Sequence, residues 1–180
     1  MIEFTYNDGG REAAGFKGQT RDCVTRAIAI VTRKPYMEVY NALNELADPF
    51  NKRHCKPRMT NSGIRMSSRS NSRTGVHKQV YHKYLLSLGM KCTPTMFIGQ
   101  GCKVHLCKDE LPSGKLIVAV SKHLTAVIDG VVNDIFNPAR EVHCTRPNDN
   151  NPLKNGEWLH PDGDVICKIE RRCVYGYYSF

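Results

Sequence analysis

The spacing of apolar positions divides the chain into a helical first half and a strand-rich second half. Val24, Ala27, Ile28, Ile30 and Val31 follow the period of a mostly buried helix, which Asp22 can cap and Lys34-Pro35 stops. Pro35 suits the first turn of a second helix, predicted over residues 36–47 from Tyr36, Val39, Leu43 and Leu46, with Asp48-Pro49 as its end. A third helix is predicted from Val76 to Leu88, with Thr74 as its cap, Val80, Tyr84 and Leu85 in its buried stripe and Gly89 as its stop. Residues 1–19 carry the turn signals Asn7-Asp8-Gly9-Gly10, Gly15 and Gly18 and read as an arm. Residues 51–75 are polar, basic and rich in Ser and Asn, which predicts a long mobile loop.

Beyond Gly89 the period shortens to that of strands. One is predicted over 91–97. Leu116-Ile117-Val118-Ala119-Val120 is a nearly continuous apolar run, as in a central strand. Residues 123–128 and 131–136 flank Asp129-Gly130, a strong two-residue hairpin signal, and Asn137-Pro138 ends the second arm. Residues 145–163 read as loop, and residues 172–178 as a last strand. Helices first and a mainly antiparallel sheet second is an α+β pattern. At 180 residues one domain spanning 1–180 is expected.

Charge sharpens this picture. The chain holds 26 Lys+Arg against 17 Asp+Glu, a formal net charge of +9. The excess is local: residues 49–108 contain twelve cations and no carboxylate, and the remainder has 14 basic and 17 acidic groups. A uniformly basic, histone-like protein is excluded. The hydrophobic fraction of 41% argues against global disorder. No apolar run approaches the ~20 residues of a membrane span. The stretch Met1-Ile2-Glu3-Phe4-Thr5-Tyr6 has no signal-peptide pattern, so a cytoplasmic protein with reduced thiols is expected. Eight cysteines would also permit a disulfide scaffold, which a chain of this length does not need.

Cys23 falls in the first turn of the first predicted helix. There the unpaired N–H groups and the helix dipole favour a thiolate, and the Cys23 backbone N–H could hold an oxyanion. Gln19 could add an amide donor. In the hairpin, a two-residue Asp129-Gly130 turn pairs Thr125 with Asp134 and His123 with Phe136. His123, Thr125 and Asp134 then share one face, with Asp134 diagonal to His123 and within side-chain reach. Asn133 falls on the other face. A three-residue turn would reverse that choice, because a one-residue slip flips every side chain. A thiol at a helix start with a His–Asp pair is what thiol-based acyl transfer needs: Cys23 as nucleophile, His123 as base and acid, Asp134 as the group that orients the imidazole.

Five strings carry a resemblance: Asp22-Cys23-Val24-Thr25-Arg26-Ala27-Ile28-Ala29-Ile30, Gly75-Val76-His77-Lys78-Gln79-Val80-Tyr81, Gly101-Cys102-Lys103-Val104-His105-Leu106, His123-Leu124-Thr125-Ala126-Val127-Ile128-Asp129-Gly130 and Arg172-Cys173-Val174-Tyr175-Gly176-Tyr177. Together they resemble a family of uncharacterised bacteriophage and bacterial proteins regarded as papain-like cysteine-peptidase folds. The resemblance implies a helical half opening on Cys23 packed on a mainly antiparallel sheet. It implies a phage-encoded hydrolase or acyltransferase acting on an amide, isopeptide or thioester bond of a host protein in the bacterial cytoplasm. In papain-like enzymes the glutamine lies further upstream of the cysteine than Gln19 does. Here Thr20-Arg21-Asp22 intervenes, and an unengaged Asp22 would raise the thiol pKa.

Two other features bear on function. Cys102, His105 and Cys107 cluster tightly, with His54-Cys55 or His143-Cys144 as possible completions, but the spacing matches no paired zinc template. They are read as small buried sulfurs with His105 bonded to backbone, and no metal or cofactor is expected. The basic loop, with Lys52, Arg53, Lys56, Arg58, Arg65, Arg69 and Arg73, could bind nucleic acid or an acidic host protein. It has no aromatic between Phe50 and Tyr81 on which bases could stack. The alternative to the enzyme is therefore a catalytically silent interaction protein working through residues 49–108.

Overall fold

The computed structural model describes residues 2–18, 21–60, 63–66, 68–139, 142–145, 157–159, 166–169 and 171–180. The architecture is α+β. Three helices, α1 (Cys23–Thr32), α2 (Tyr36–His54) and α3 (Lys78–Ser87), pack on a six-stranded mixed sheet. In spatial order its strands are β1 (Glu3–Tyr6), β7 (Val131–Asp134), β6 (His123–Ile128), β5 (Lys115–Val120), β11 (Val174–Ser179) and β4 (Lys91–Pro94). All neighbours are antiparallel except β1 and β7, which run parallel. Among the described residues two small sheets stand apart: the hairpin β2 (Pro57–Thr60) and β3 (Gly63–Met66), and a sheet ordered β8 (Val142–Thr145), β10 (Ile166–Ile169), β9 (Glu157–Leu159). No described helix is long and apolar enough to cross a membrane.

Strand alternation divides the interior into two layers. Ile117, Leu124, Ala126 and Tyr178 face the helices and meet Ala27, Ile28, Val31, Val39, Leu43 and Leu85. Leu116, Val118, Val127, Val132 and Val174 face the other way, where Ile2, Leu106 and Leu111 cover them. β5 is thus covered on both faces, as its unbroken apolar run requires. Each fully buried Leu, Ile or Val contributes about 1.5–3 kcal/mol. α1 is buried from Val24 to Val31, including Thr25 and Arg26, so it sits inside the molecule and its polar groups need partners there.

Several expectations change. The second helix does not end at Asp48-Pro49 but runs on to His54. Pro49 is tolerated because Phe50 joins Ala47 and Val80 in a small core and the Asn51 amide donates to Ser70 O at 2.9 Å. Tertiary contacts outweigh the missing N–H. Lys52, Arg53 and His54 become the basic last turn of α2, where cations complement the helix dipole. The long loop predicted over 51–75 therefore holds a helix end, the β2–β3 hairpin and an anchored turn. In that turn Ser72 N–H donates to Asn44 Oδ1 at 2.9 Å and Ser72 Oγ to Tyr40 O at 2.7 Å. Thr74 does not cap α3; its backbone N–H and its hydroxyl both bond Asn71, and His77 occupies the cap position. Part of the N-terminal arm is strand β1, and part of the stretch read as loop beyond residue 145 is β9. Cys102 and Cys173 are joined as a disulfide, against the expectation of reduced thiols throughout. The bridge between His105 and Cys173 brings their segments together, with Cα atoms of the two cysteines 5.8 Å apart.

Candidate active site

The site is assembled by one turn and one helix start. Asp129 and Gly130 both have positive φ, 49° and 79°, as the two-residue turn of a tight hairpin demands. The register follows, with Ala126 opposite Asn133, Val127 opposite Val132 and Ile128 opposite Val131. Asp134 is thereby placed diagonal to His123, and His123 Nε2 lies 2.7 Å from Asp134 Oδ2. The Phe136 ring sits 4.9 Å from the imidazole, centroid to centroid. Asn133 accepts a bond from Asn7 instead and takes no part in the pair.

On the other side, Cys23 opens α1, and its thiol faces the His123 ring and the Leu124 backbone N–H. Since Nε2 holds Asp134, Nδ1 is the ring nitrogen left for the sulfur. Asp22 stands at the cap position, but its side chain makes no capping bond. It turns inward to Arg26, to Arg11 Nε at 2.9 Å and to the Tyr36 hydroxyl at 2.7 Å. The first-turn N–H groups of α1 therefore carry no side-chain cap. Two guanidinium groups offset the charge of Asp22 beside the thiol.

Arg26, buried in the middle of α1, also reaches Asp134 Oδ1 at 3.4 Å, and the Ile135 N–H donates to that same oxygen at 2.8 Å. Both carboxylate oxygens of Asp134 are thus occupied. The turn after β1 also lies close to α1: at Gly9, φ +66°, a Cβ would meet Arg26 O at 3.0 Å.

These contacts set the protonation states. Burial alone pushes the Cys23 thiol up. The His123 hydrogen bond and charge, the Leu124 N–H and the charge of Arg26 outweigh it and bring the thiol below its ordinary value. For His123, burial opposes protonation, but bonding to Asp134 and Cys23 raises its pKa to about 9. Burial likewise works against ionised Asp134, and the bond and charge of His123 and the Ile135 N–H hold it below the usual carboxylate range. The three groups together shift the site toward a thiolate–imidazolium pair.

Cys23 and His123 open onto a groove of about 1190 Å³. Its walls come from the approach to α3 and its first turn (Gly75–Lys78 and Tyr81), from Cys92 and Pro94 of β4, from Tyr175, Gly176 and Tyr178 and from Ile135 and Phe136. β11 is bulged at Tyr175, the residue skipped between the pairs Val174–Val120 and Gly176–Ala119. At Gly176 a Cβ would meet Thr93 O at 2.9 Å, so glycine permits the close approach of β4. The described lining includes Arg21, Arg26, Lys78 and Lys122 and no carboxylate. Ile135, Phe136 and Tyr175 leave large apolar surfaces exposed at its rim. Burial, with the charges of Cys23 and Cys92, pushes the Tyr81 hydroxyl up to about 12.

The structure thus brings Cys23, His123 and Asp134 together. Gln19 lies outside the described residues. Of the seven cations singled out in the basic loop, Lys52, Arg53, Lys56, Arg69 and Arg73 are not in the described groove lining, and the side chains of Arg58 and Arg65 lie outside the described residues. Lys52 and Arg53 are exposed on α2, Lys56 precedes β2, and Arg58 and Arg65 are opposite one another in the β2–β3 register. Arg69 is exposed, and the Arg73 guanidinium stacks over Phe16 at 5.6 Å. Sequence reasoning missed Arg26, Arg11 and Tyr36 around Asp22. The i, i+4 spacing of Asp22 and Arg26 within an otherwise apolar helix was the available signal. No family model, curated protein or solved structure matches the chain.

Proposed function

We propose that the protein is a cysteine-dependent hydrolase or acyltransferase of papain-like arrangement. Its substrate bond is an amide, isopeptide or thioester, carried by a bacterial host protein and attacked by a phage-encoded enzyme. The observation that carries the reading is the succession from the Cys23 thiol to His123, both lining an open groove, and on to the buried Asp134 bonded to His123. A structural cysteine at a helix start needs neither the imidazole nor the buried carboxylate behind it.

In this reading the Cys23 thiolate attacks the carbonyl carbon, and the displaced electron pair passes to the carbonyl oxygen. Uncapped N–H groups at the start of α1, that of Cys23 included, receive the oxyanion. Collapse of the intermediate breaks the bond to the leaving group, which takes the proton of the His123 imidazolium. His123 then removes a proton from water or another acceptor, and attack on the thioester frees Cys23. Asp134 holds the ring and stabilises its charge. The lining cations and the apolar rim favour a substrate with negative charge beside an apolar side chain.

Alkylation by iodoacetamide at pH 6–7, with mapping of the modified thiols, tests this. Cys23 is expected to react first and fastest, and His123→Ala to abolish that advantage. Uniform slow labelling of every cysteine would exclude the enzyme and leave a silent binding protein.

A further inference from the structure

A second cluster of reactive side chains lies at the start of β11 and takes no part in the Cys23 chemistry. The segment before Cys107 runs alongside residues 172–174. His105 and Cys173 form an antiparallel bridge, Leu106 N–H donates to Arg172 O at 2.8 Å, and Val174 N–H to Val104 O at 2.9 Å. This backbone pairing gathers Cys102, His105 and Cys173, whose ligand atoms all lie within 4.8 Å of one another and are half-buried. Cys102 and His105 are three residues apart in the pattern Cys-Lys-Val-His. His105, expected from sequence to bond backbone through its ring, pairs instead with a carboxylate. Its Nδ1 is 3.0 Å from Glu110 Oε2, and the same oxygen accepts the His105 backbone N–H at 2.7 Å. The other carboxylate oxygen lies 3.5 Å from Arg171 Nη1.

A carboxylate on one ring nitrogen fixes the proton there and leaves the other nitrogen as a lone-pair donor, the usual support of a metal-ligating histidine. We propose that Cys102, His105 and Cys173 bind a zinc ion, with Glu110 as the positioning residue and the fourth coordination place open to water. Two thiolates and one imidazole suit Zn²⁺ among the common divalent ions. A disulfide alone would give the oriented His105–Glu110 pair no role. The ion is held by the reduced pair. Two equivalents of a monothiol convert the disulfide to two cysteine thiols and one external disulfide, and Zn²⁺ then displaces both thiol protons. Bound there, it pins the segment that carries Leu106, which covers the sheet face opposite the helices.

The test is metal analysis of the full chain purified with a monothiol reductant. About one zinc per chain is expected. Cys102→Ser and Cys173→Ser should lose it, and Cys55→Ser should keep it. Should the cysteine variants fail to fold, Glu110→Gln retains every ligand and is expected to weaken zinc affinity about 10–100-fold in competition with a chromophoric chelator. Three results overturn the proposal: folded, reduced protein that takes up no zinc; uptake undiminished in both Cys102→Ser and Glu110→Gln; or a Cys102–Cys173 link that persists after thiol treatment.

Discussion

Arg26 Nη2 lies 3.4 Å from Asp134 Oδ1, while Asp134 Oδ2 lies 2.7 Å from His123 Nε2. One buried guanidinium therefore joins the helix that carries the thiol to the strand that orients the imidazole, and Asp22 shares the same arginine. Removing it would leave two buried carboxylates each short of a cation.

Arg26→Met is accordingly expected to destabilise the fold by about 3–5 kcal/mol, the usual cost of breaking a buried ion pair from one side. Urea unfolding measures it. Asp22→Asn on the Arg26→Met background should recover part of the loss. A cost within about 0.5 kcal/mol would mean that water replaces the guanidinium.

Asp134→Asn keeps the shape and removes the charge. His123 should then lose its proton well below about 9, and the Cys23 thiol should ionise at higher pH. Each pKa unit on the thiol lowers the thiolate population at acidic pH about tenfold. The alkylation rate of Cys23 at pH 6 should fall by at least about that factor, with circular dichroism unchanged. An unaltered rate would remove Asp134 from the chain.

The reactive thiolate–imidazolium pair should exist between the lowered Cys23 pKa and the His123 value of about 9. A bell-shaped pH–rate profile follows, with its alkaline limb near 9. Stability is linked with opposite signs at its two ends. His123, raised from 6.5, contributes fully below that value, and the contribution is lost as pH rises through about 9. Asp134, lowered from 3.8, contributes above that value and loses its contribution as pH falls through its folded pKa. The stability difference between wild type and His123→Asn should therefore narrow at both extremes, read by thermal unfolding against pH.

Register can be tested apart from chemistry. Gly130→Ala should cost about 1–2 kcal/mol, since φ is +79° there, and still preserve fast alkylation of Cys23. One residue inserted between Asp129 and Gly130 should turn Asp134 to the opposite face and lower the alkylation rate as Asp134→Asn does. Equal rates in wild type and the insertion variant would show that the hairpin does not set the site.

The cations of the groove give a charge-sensitive readout. Iodoacetate should gain on iodoacetamide at Cys23, relative to a free thiol, and the gain should shrink in Lys122→Glu and at high salt. Neutralising Lys52, Arg53 and Arg69, which lie outside the lining, should leave the ratio unchanged. The opposite pattern would place the relevant charge on α2 and the loop after it.

The Cys23–His123–Asp134 juxtaposition was legible because two strictly local rules produce it: a helix opening after Asp22, and an Asp-Gly turn with period-two alternation on both sides. The register calculated from that turn is the one observed. Elements fixed by distant partners were not legible. α2 passes Pro49 because Phe50 and Asn51 have partners in α3 and in the anchored turn around Ser70. β1 is an exposed run with no alternating burial, and only its parallel pairing with β7 makes it a strand. Asp22 was assigned a cap because the helix start is local, whereas Arg11 and Tyr36, which claim its carboxylate, arrive through tertiary folding.

That parallel pairing carries a consequence for biosynthesis. The arm that holds Asp134 O through Asn7 N–H at 2.9 Å, and Asp22 through Arg11, leaves the ribosome ahead of the strand it pairs with. Its strand partner emerges far later, since Asp134 follows Arg26 by 108 residues. Cys23 is thus made well before the imidazole and the carboxylate, and until they emerge it is an ordinary thiol of low nucleophilic readiness. Activation would coincide with closure of the β6–β7 hairpin on α1, so a nascent or truncated chain ending before Asp134 would carry the nucleophile without the machinery that ionises it.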